Sequence, residues 1–416
     1  MDAFPDYSLR EVAQQVGTPC YVYDRGRIEQ NYARLVSALL PHPSVGRICY
    51  SVKANSNLSV LRLLHNLGAG FDVVSIGELR RVLLAGAAPA DVVFAGVGKR
   101  EDELIAALDA GAGWINVESP QELHALSDLA CARGRVQQVA LRINPNVDPH
   151  THRHMATGTG TSKFGIEIEQ ALALVARRND FPGVAINGIH VHIGSMVNEV
   201  APYEDAARVA LDVITRCREL GATITTLNLG GGFGVAYRPD QPEAPIEAIA
   251  EAVWPPIRRA GVQVLFEPGR AIVADAGVLL TRVLYTKANG GVNYVVVDAG
   301  MNDLIRPALY GAVHGVSLVS RVSEMSEVSR VSVVGPVCES GDVLAEGVLL
   351  PVLQRGDLLV IHHAGAYGMS MASNYNTRPR AAEVLLQGDA WRVIRPREAI
   401  EALWAPEVEC LYQADS

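Results

Sequence analysis

RICYSVKAN, Arg47 to Asn55, reads as a buried β-strand that ends on a lysine. Lysine is among the side chains least often fully buried, because an unpaired ammonium loses its hydration there. Of the 36 basic residues only Lys53, Lys99, Lys163 and Lys287 are lysine, and the rest are arginine. An amine can lose its proton and form a Schiff base, whereas a guanidinium effectively cannot. Two readings of Lys53 stand at this point: a snorkelling side chain with its head in solvent, or a reactive amine.

Outward from this strand, short apolar runs alternate with helical patterns over residues 27–270. The strands expected are ICYSVK, FDVVS, VVFAG, INVES, VALRIN, IHVHIG, TLNLGGG and VLFEPG, with stretches such as NLSVLRLLHNLG and GELRRVLLAG between them. Eight alternations in about 240 residues are the count and length of a (β/α)₈ TIM barrel; a doubly wound open sheet is the alternative. After Arg270 the texture changes. GVLLTRVLYTKA, NYVVVDAG, RVSVVGPV and DLLVIHHAG are strand-like with few helical intervals, so residues 271–416 read as a mostly β domain. The early strand TPCYVYD, within residues 1–26, could pair with that domain. The expected class is α/β, a barrel plus a β domain taking both termini.

Composition narrows the functions. At 416 residues, 49% hydrophobic and 19% charged, the chain should bury a large core in two or three domains. A net charge of −9 without a basic tract gives no reason to expect nucleic acid. MDAFPDYSLREVAQQ lacks the pattern of a signal peptide, and no apolar run reaches the ~18 residues of a membrane span. Cys20, Cys49, Cys131, Cys217, Cys338 and Cys410 are scattered without a C-x-x-C pair. That favours a reducing, cytoplasmic compartment over disulfides or a zinc site.

Active sites of barrels lie at the C-terminal ends of the strands. Lys53, Asp72, Arg142, His192, Gly230 to Gly232, and Glu267 with Arg270 stand at those ends. NLGGGFG offers backbone N–H groups unobstructed by side chains, which suits a phosphate, although a tight turn would also use it. His190 and His192 share one strand face; with no carboxylate pair near them in the sequence, packed imidazoles are favoured over metal ligands. His150, His152 and His154 alternate in a long loop that reads as closing on substrate, so no metal is expected. In FEPGR, Glu267 needs a cationic partner. If the phosphate belongs to pyridoxal phosphate, that partner is the ring nitrogen, and Lys53 becomes the Schiff-base lysine.

The ordered set TPCYVYD, YSVKAN, DVVSIGEL, GVGK, NPNVDPHTH…TG…SKFG, HVHIGS, LNLGGGFG, EPGR, MNDLIRPALYGA, CESGD and GAYGMSMASNYNTRPR covers nearly the whole chain. It resembles the fold-type III pyridoxal-phosphate enzymes, and within them the diaminopimelate decarboxylase family. The resemblance implies a barrel plus β domain and a cytoplasmic homodimer with shared active sites. It also implies decarboxylation of meso-2,6-diaminopimelate to L-lysine. By that resemblance Lys53 carries the cofactor, with Asp72 beside it, and His192 stacks on its ring. Ser195, Gly231, Gly232 and Tyr367 hold the phosphate, and Glu267 pairs with the ring nitrogen. Arg270, Arg306 and Tyr310, with Tyr367 nearby, bind the substrate, the first three clamping its distal carboxylate. Cys338 and Glu339 reach in from the second subunit, Cys338 near the reacting carbon and Glu339 at the distal amino group.

Ile76 and Met196 depart from the family's usual glycine and glutamine, which leaves open a paralogue for another amino acid with a distal carboxylate. An amino-acid racemase shares fold and cofactor, yet CESGD and RPALYGA belong to the decarboxylase pattern. A cofactor-homeostasis protein would lack the β domain.

Overall fold

The computed structural model describes residues 4–41, 45–147, 162–238, 240–319 and 327–413. They fall into two compact units. One comprises Asn31–Val235 and Pro242–Ala271; the other comprises the described residues of Met1–Gln30, Ala236–Gln241 and Ile272–Ser416.

Strand β1 (Cys20–Asp24) comes first in the chain and belongs to the second unit. The first unit is built on β2 (Gly46–Ser51), β3 (Gly70–Val73), β4 (Val92–Phe94), β5 (Trp114–Val117), β6 (Gln137–Arg142), β7 (Val184–His190), β8 (Thr226–Asn228) and β9 (Gln263–Phe266). These form a closed parallel barrel, sealed where Ile48 of β2 pairs with Phe266 of β9. The eight strands expected from the sequence are the eight barrel strands. A parallel strand is covered on both faces, which is why β3, β4 and β8 are buried throughout.

Local chemistry sets where the helices between strands begin. Ser75 caps helix Ile76–Leu84, accepting from the Glu78 N–H at 3.2 Å, while Glu78 Oε2 accepts from the Val74 N–H at 2.8 Å. Ser119 and Glu122 repeat this at helix Pro120–Cys131, with the Glu118 N–H as the second donor. Both are S-x-x-E sequences satisfying N–H groups that a helix start leaves unpaired. The Ile76 N–H is taken by Glu103 Oε1 at 3.0 Å. Each junction therefore fixes the residues that leave its strand.

The second unit is a mixed sheet. Its later strands are β10 (Gly277–Asn289), β11 (Val292–Val297), β12 (Val316–Leu318), β13 (Val328–Val334), β14 (Val343–Pro351), β15 (Leu358–Ile361), β16 (Ala382–Gln387) and β17 (Ala390–Arg395). The path runs β14-β13-β11-β10-β1-β16-β17, with β15 joining β10 to β12. TPCYVYD does pair here: β1 lies antiparallel to β10 and parallel to β16. Alternate residues of β1 feed two cores. Tyr21 and Tyr23 pack with Leu279, Val297 and Leu359, whereas Cys20 and Val22 pack with Leu9, Val278 and Val384. Four strands were not read from the sequence: β12, β14, β16 and β17.

Candidate active site

Lys53 stands just beyond β2, on the single helical turn Val52–Ala54. Val52 and Ala54 are buried, while the Lys53 side chain is 42% exposed. The apolar run thus ends before the lysine does, and the amine stays accessible. Nζ lies 3.4 Å from Asp72 Oδ2, the residue at the end of β3 that pairs with Ser51 in register. Ser51 Oγ donates to the same oxygen at 2.7 Å. Asp72 Oδ1 is buried with no hydrogen-bond partner among the described residues. Burial first, then the Glu267 charge, raises the Asp72 carboxyl, with Lys53 and Ser51 opposing.

Glu267 follows β9 and is buried. Asn228 Nδ2, ending β8, donates to Oε1 at 2.6 Å, and Asn116 Nδ2 of β5 donates to the same oxygen at 3.3 Å. His190 Nε2, ending β7, lies 3.4 Å from Oε2. Burial alone would raise this carboxyl. The His190 ring, the Asn228 donor and the Lys53 charge outweigh it and pull the group down to about 2, so it stays ionised. The expected packed role of His190 is thus specific: it faces a carboxylate.

His192 Nδ1 accepts from the Gly231 N–H at 3.2 Å. Burial, then the charges of Lys53 and Arg142, hold this imidazole well below its ordinary range, so the ring is neutral. The triple glycine is required by close approach. A Cβ on Gly231 would fall 2.0 Å from the Glu267 carbonyl oxygen, and one on Gly232, at φ +96°, 2.3 Å from that of Gly194. Arg270 is buried and donates from Nη2 to Ser195 Oγ at 3.1 Å. Arg142 is held by Glu118 at 2.9 Å and lies over the Phe164 ring, so this strand-end charge is accounted for within the fold.

Eight candidates therefore share the barrel unit: Lys53, Asp72, His192, Ser195, Gly231, Gly232, Glu267 and Arg270. The other five belong to the strand-rich unit. Arg306, buried, opens the short helix Arg306–Tyr310, and Tyr310 closes it. Cys338 and Glu339 are exposed side by side. The Cys338 N–H donates to Asn376 Oδ1 at 2.9 Å, and the Tyr375 hydroxyl donates to the Glu339 carboxylate. Tyr367 is half-buried at φ +56°. His150, His152 and His154 lie outside the described residues. Among the described residues no group of His, Cys, Asp and Glu is arranged to hold a metal ion, and no helix is long and apolar enough to cross a membrane.

Comparison with known proteins decides what this grouping belongs to. The family model described as "Pyridoxal-dependent decarboxylase, pyridoxal binding domain" matches residues 25–274. The diaminopimelate decarboxylase of Pseudomonas aeruginosa is 46% identical over 400 residues, 96% of this chain and 95% of the relative. The chain belongs to the diaminopimelate decarboxylase family. Among solved structures, that of the Helicobacter pylori diaminopimelate decarboxylase complexed with L-lysine superposes with a TM-score of 0.92 at 40% identity, covering 96% of this chain and 99% of the other. The lysine/ornithine decarboxylase of Vibrio vulnificus complexed with cadaverine is more distant, at TM-score 0.79 and 26% identity, covering 92% of this chain and 98% of the other.

Pyridoxal phosphate is the cofactor of this family of decarboxylases, and the barrel residues fit it. An accessible amine, a buried carboxylate held ionised, a neutral imidazole and a glycine loop without room for side chains stand together. Asp72 Oδ1, on barrel strand β3, adds a buried oxygen with no hydrogen-bond partner among the described residues. Asn116, Asn228 and Glu78 belong with this site and were not singled out from the sequence. Burial pushes the Glu78 carboxyl up to about 7. Asn228 had a signal: it stands two residues before Gly230, whose N–H its Oδ1 accepts at 2.9 Å.

Proposed function

We propose that the protein decarboxylates meso-2,6-diaminopimelate to L-lysine and carbon dioxide, as a cytoplasmic homodimer with pyridoxal phosphate. The observation that carries the reading is the Lys53–Asp72–Glu267 grouping, set in a chain that matches named diaminopimelate decarboxylases over 96% of its length. Lys53 holds the cofactor through its amine, and Asp72 positions that amine. Ser195, Gly231, Gly232 and Tyr367 hold the phosphate. Neutral His192 would pack against the cofactor's ring, where a cationic imidazole would be repelled by a protonated ring nitrogen. Glu267, held ionised, keeps the ring nitrogen protonated.

Bound pyridoxal phosphate supplies an electron sink for the pair left behind when the carbon–carboxylate bond breaks. Formation of L-lysine requires that the carboxylate leave the D-configured carbon, so the L-configured end must be recognised and kept. Arg270, Arg306 and Tyr310 bind its carboxylate, the arginines through fork-shaped donor pairs. Glu339 of the second subunit receives its ammonium. Cys338 of the second subunit lies beside the reacting carbon, where its thiol can return a proton. The exposure of Cys338 and Glu339 on the single chain is consistent with residues completed by a second copy. Six free cysteines suit a reducing compartment.

The test is product formation by purified protein loaded with pyridoxal phosphate. Wild type should release L-lysine and one carbon dioxide per meso-diaminopimelate, and Lys53→Ala none. A protein that retains cofactor through Lys53 and forms no lysine would sink the substrate assignment.

A further inference from the structure

Strands β11 and β13 run parallel, with Val296 beside Val334, so the turns that follow them leave the sheet side by side. One spans residues 298–305 and leads to Arg306; the other joins β13 to β14 and carries Cys338 and Glu339. Glycines let the two turns touch: a Cβ on Gly335 would fall 2.5 Å from the Gly300 Cα. The second turn has an exposed tip, residues 338–341, between two buried residues, Val337 and Asp342. Its base is closed by the Gly335 N–H, which donates to the Asp342 carbonyl at 3.1 Å.

The Asp342 carboxylate ties the two turns together. Oδ2 accepts from the Val337 N–H at 2.7 Å, within its own turn, and Oδ1 accepts from the Met301 N–H at 2.6 Å, in the other. The turn it grips is itself fixed. The Gly300 N–H donates to Asp303 Oδ2 at 3.0 Å, and the buried Tyr21 hydroxyl donates to the Asp303 carbonyl at 2.6 Å. Backbone N–H bonds to a carboxylate are charge-assisted and stronger than neutral ones, and removing the carboxylate leaves both donors unmet. We infer that Asp342 is a positioning residue that sets Cys338 and Glu339 for the neighbouring subunit's site. This rests on the reading that those two side chains serve that site. Asp342 acts through the backbone of the turn.

The test uses mixed dimers, purified on two tags, in which Lys53→Ala leaves one working site. In the first dimer the Lys53→Ala chain also carries Asp342→Asn, so the working site receives the altered turn. In the second the chain that keeps Lys53 carries Asp342→Asn, and its site receives a wild-type turn. Asparagine keeps the size and one acceptor but turns an N–H toward one of the two amide donors. Against a dimer of Lys53→Ala with wild type, kcat/KM for meso-diaminopimelate should fall about tenfold or more in the first and stay within about twofold in the second. Glu339→Ala in the same two arrangements checks the underlying reading: loss in the second in place of the first shows that the turn serves its own chain. With the Glu339 loss in the first, an Asp342→Asn loss that is equal in both dimers, or absent from the first, overturns the inference. Hydrogen exchange in the wild-type dimer needs no variant. The Val337 and Met301 amides should exchange at least about a hundredfold more slowly than in an unstructured chain, and unprotected exchange at either would also overturn it.

Discussion

A reactive lysine must be anchored by its neighbours and left free at its tip. Val52 and Ala54 supply the anchor on either side of Lys53, and its amine reaches the Asp72 carboxylate at 3.4 Å. The same logic explains Glu267, whose charge is kept by donors rather than by a fixed arginine. Asn228 is the closest of these at 2.6 Å. Asn228→Ala removes that donor and leaves a buried charge less well solvated. It should weaken cofactor retention without unfolding the barrel, as measured by cofactor release on dilution and by circular dichroism. Unchanged retention would mean that Asn116 and His190 suffice.

At the scale of elements, the strand–helix junctions carry the charges that matter for stability. Lys99 is buried, bonded to the Gly96 and Asn116 carbonyls at 2.7 Å each and to Glu122 at 2.5 Å. Lys99→Ala leaves Glu122 buried without its cation, and should cost about 3–5 kcal/mol in denaturant unfolding. Glu78 gives a pH signature. Its folded carboxyl is raised to about 7 from the model-compound 4.5, mainly by burial. The stability linked to it is therefore full below about pH 4.5 and is lost as pH rises through about 7. Glu78→Gln should raise Tm at pH 8 relative to wild type and leave it nearly unchanged at pH 4. A lower Tm at pH 8 would show that the carboxylate is needed for the helix start.

How far these elements were legible differs between the units. Each barrel strand is covered on both faces, so its apolar run stands out. The edge strands β14 and β17 are half-exposed at the two ends of the sheet path, and their apolar signal is diluted. The β16 sequence AEVLLQ is mostly helix formers, and pairing with β1 and β17 overrides that preference. At the site, residues that bond within a short span, such as Asn228 with Gly230, left a trace in the sequence. Asn116 and Glu267 are 151 positions apart. Only barrel closure brings them together, so no local pattern announces the pair.

For the whole molecule, the proposed homodimer makes a quantitative claim. If Glu339 serves the neighbouring subunit's site, Lys53→Ala and Glu339→Ala chains are each inactive alone. Dissociated, mixed and reassociated at random, they should recover about a quarter of wild-type activity, because half the dimers are mixed and each carries one intact site of two. No recovery, with mixed dimers shown to form, would place Glu339 in the site of its own chain.

The most direct test of the central claim is substrate choice: kcat/KM for meso-diaminopimelate against L-lysine and L-ornithine, with products identified by mass. Binding through Arg270, Arg306 and Tyr310 predicts L-lysine from meso-diaminopimelate and no detectable cadaverine or putrescine from the other two. Comparable turnover of lysine or ornithine, or racemisation in place of carbon dioxide release, would contradict it.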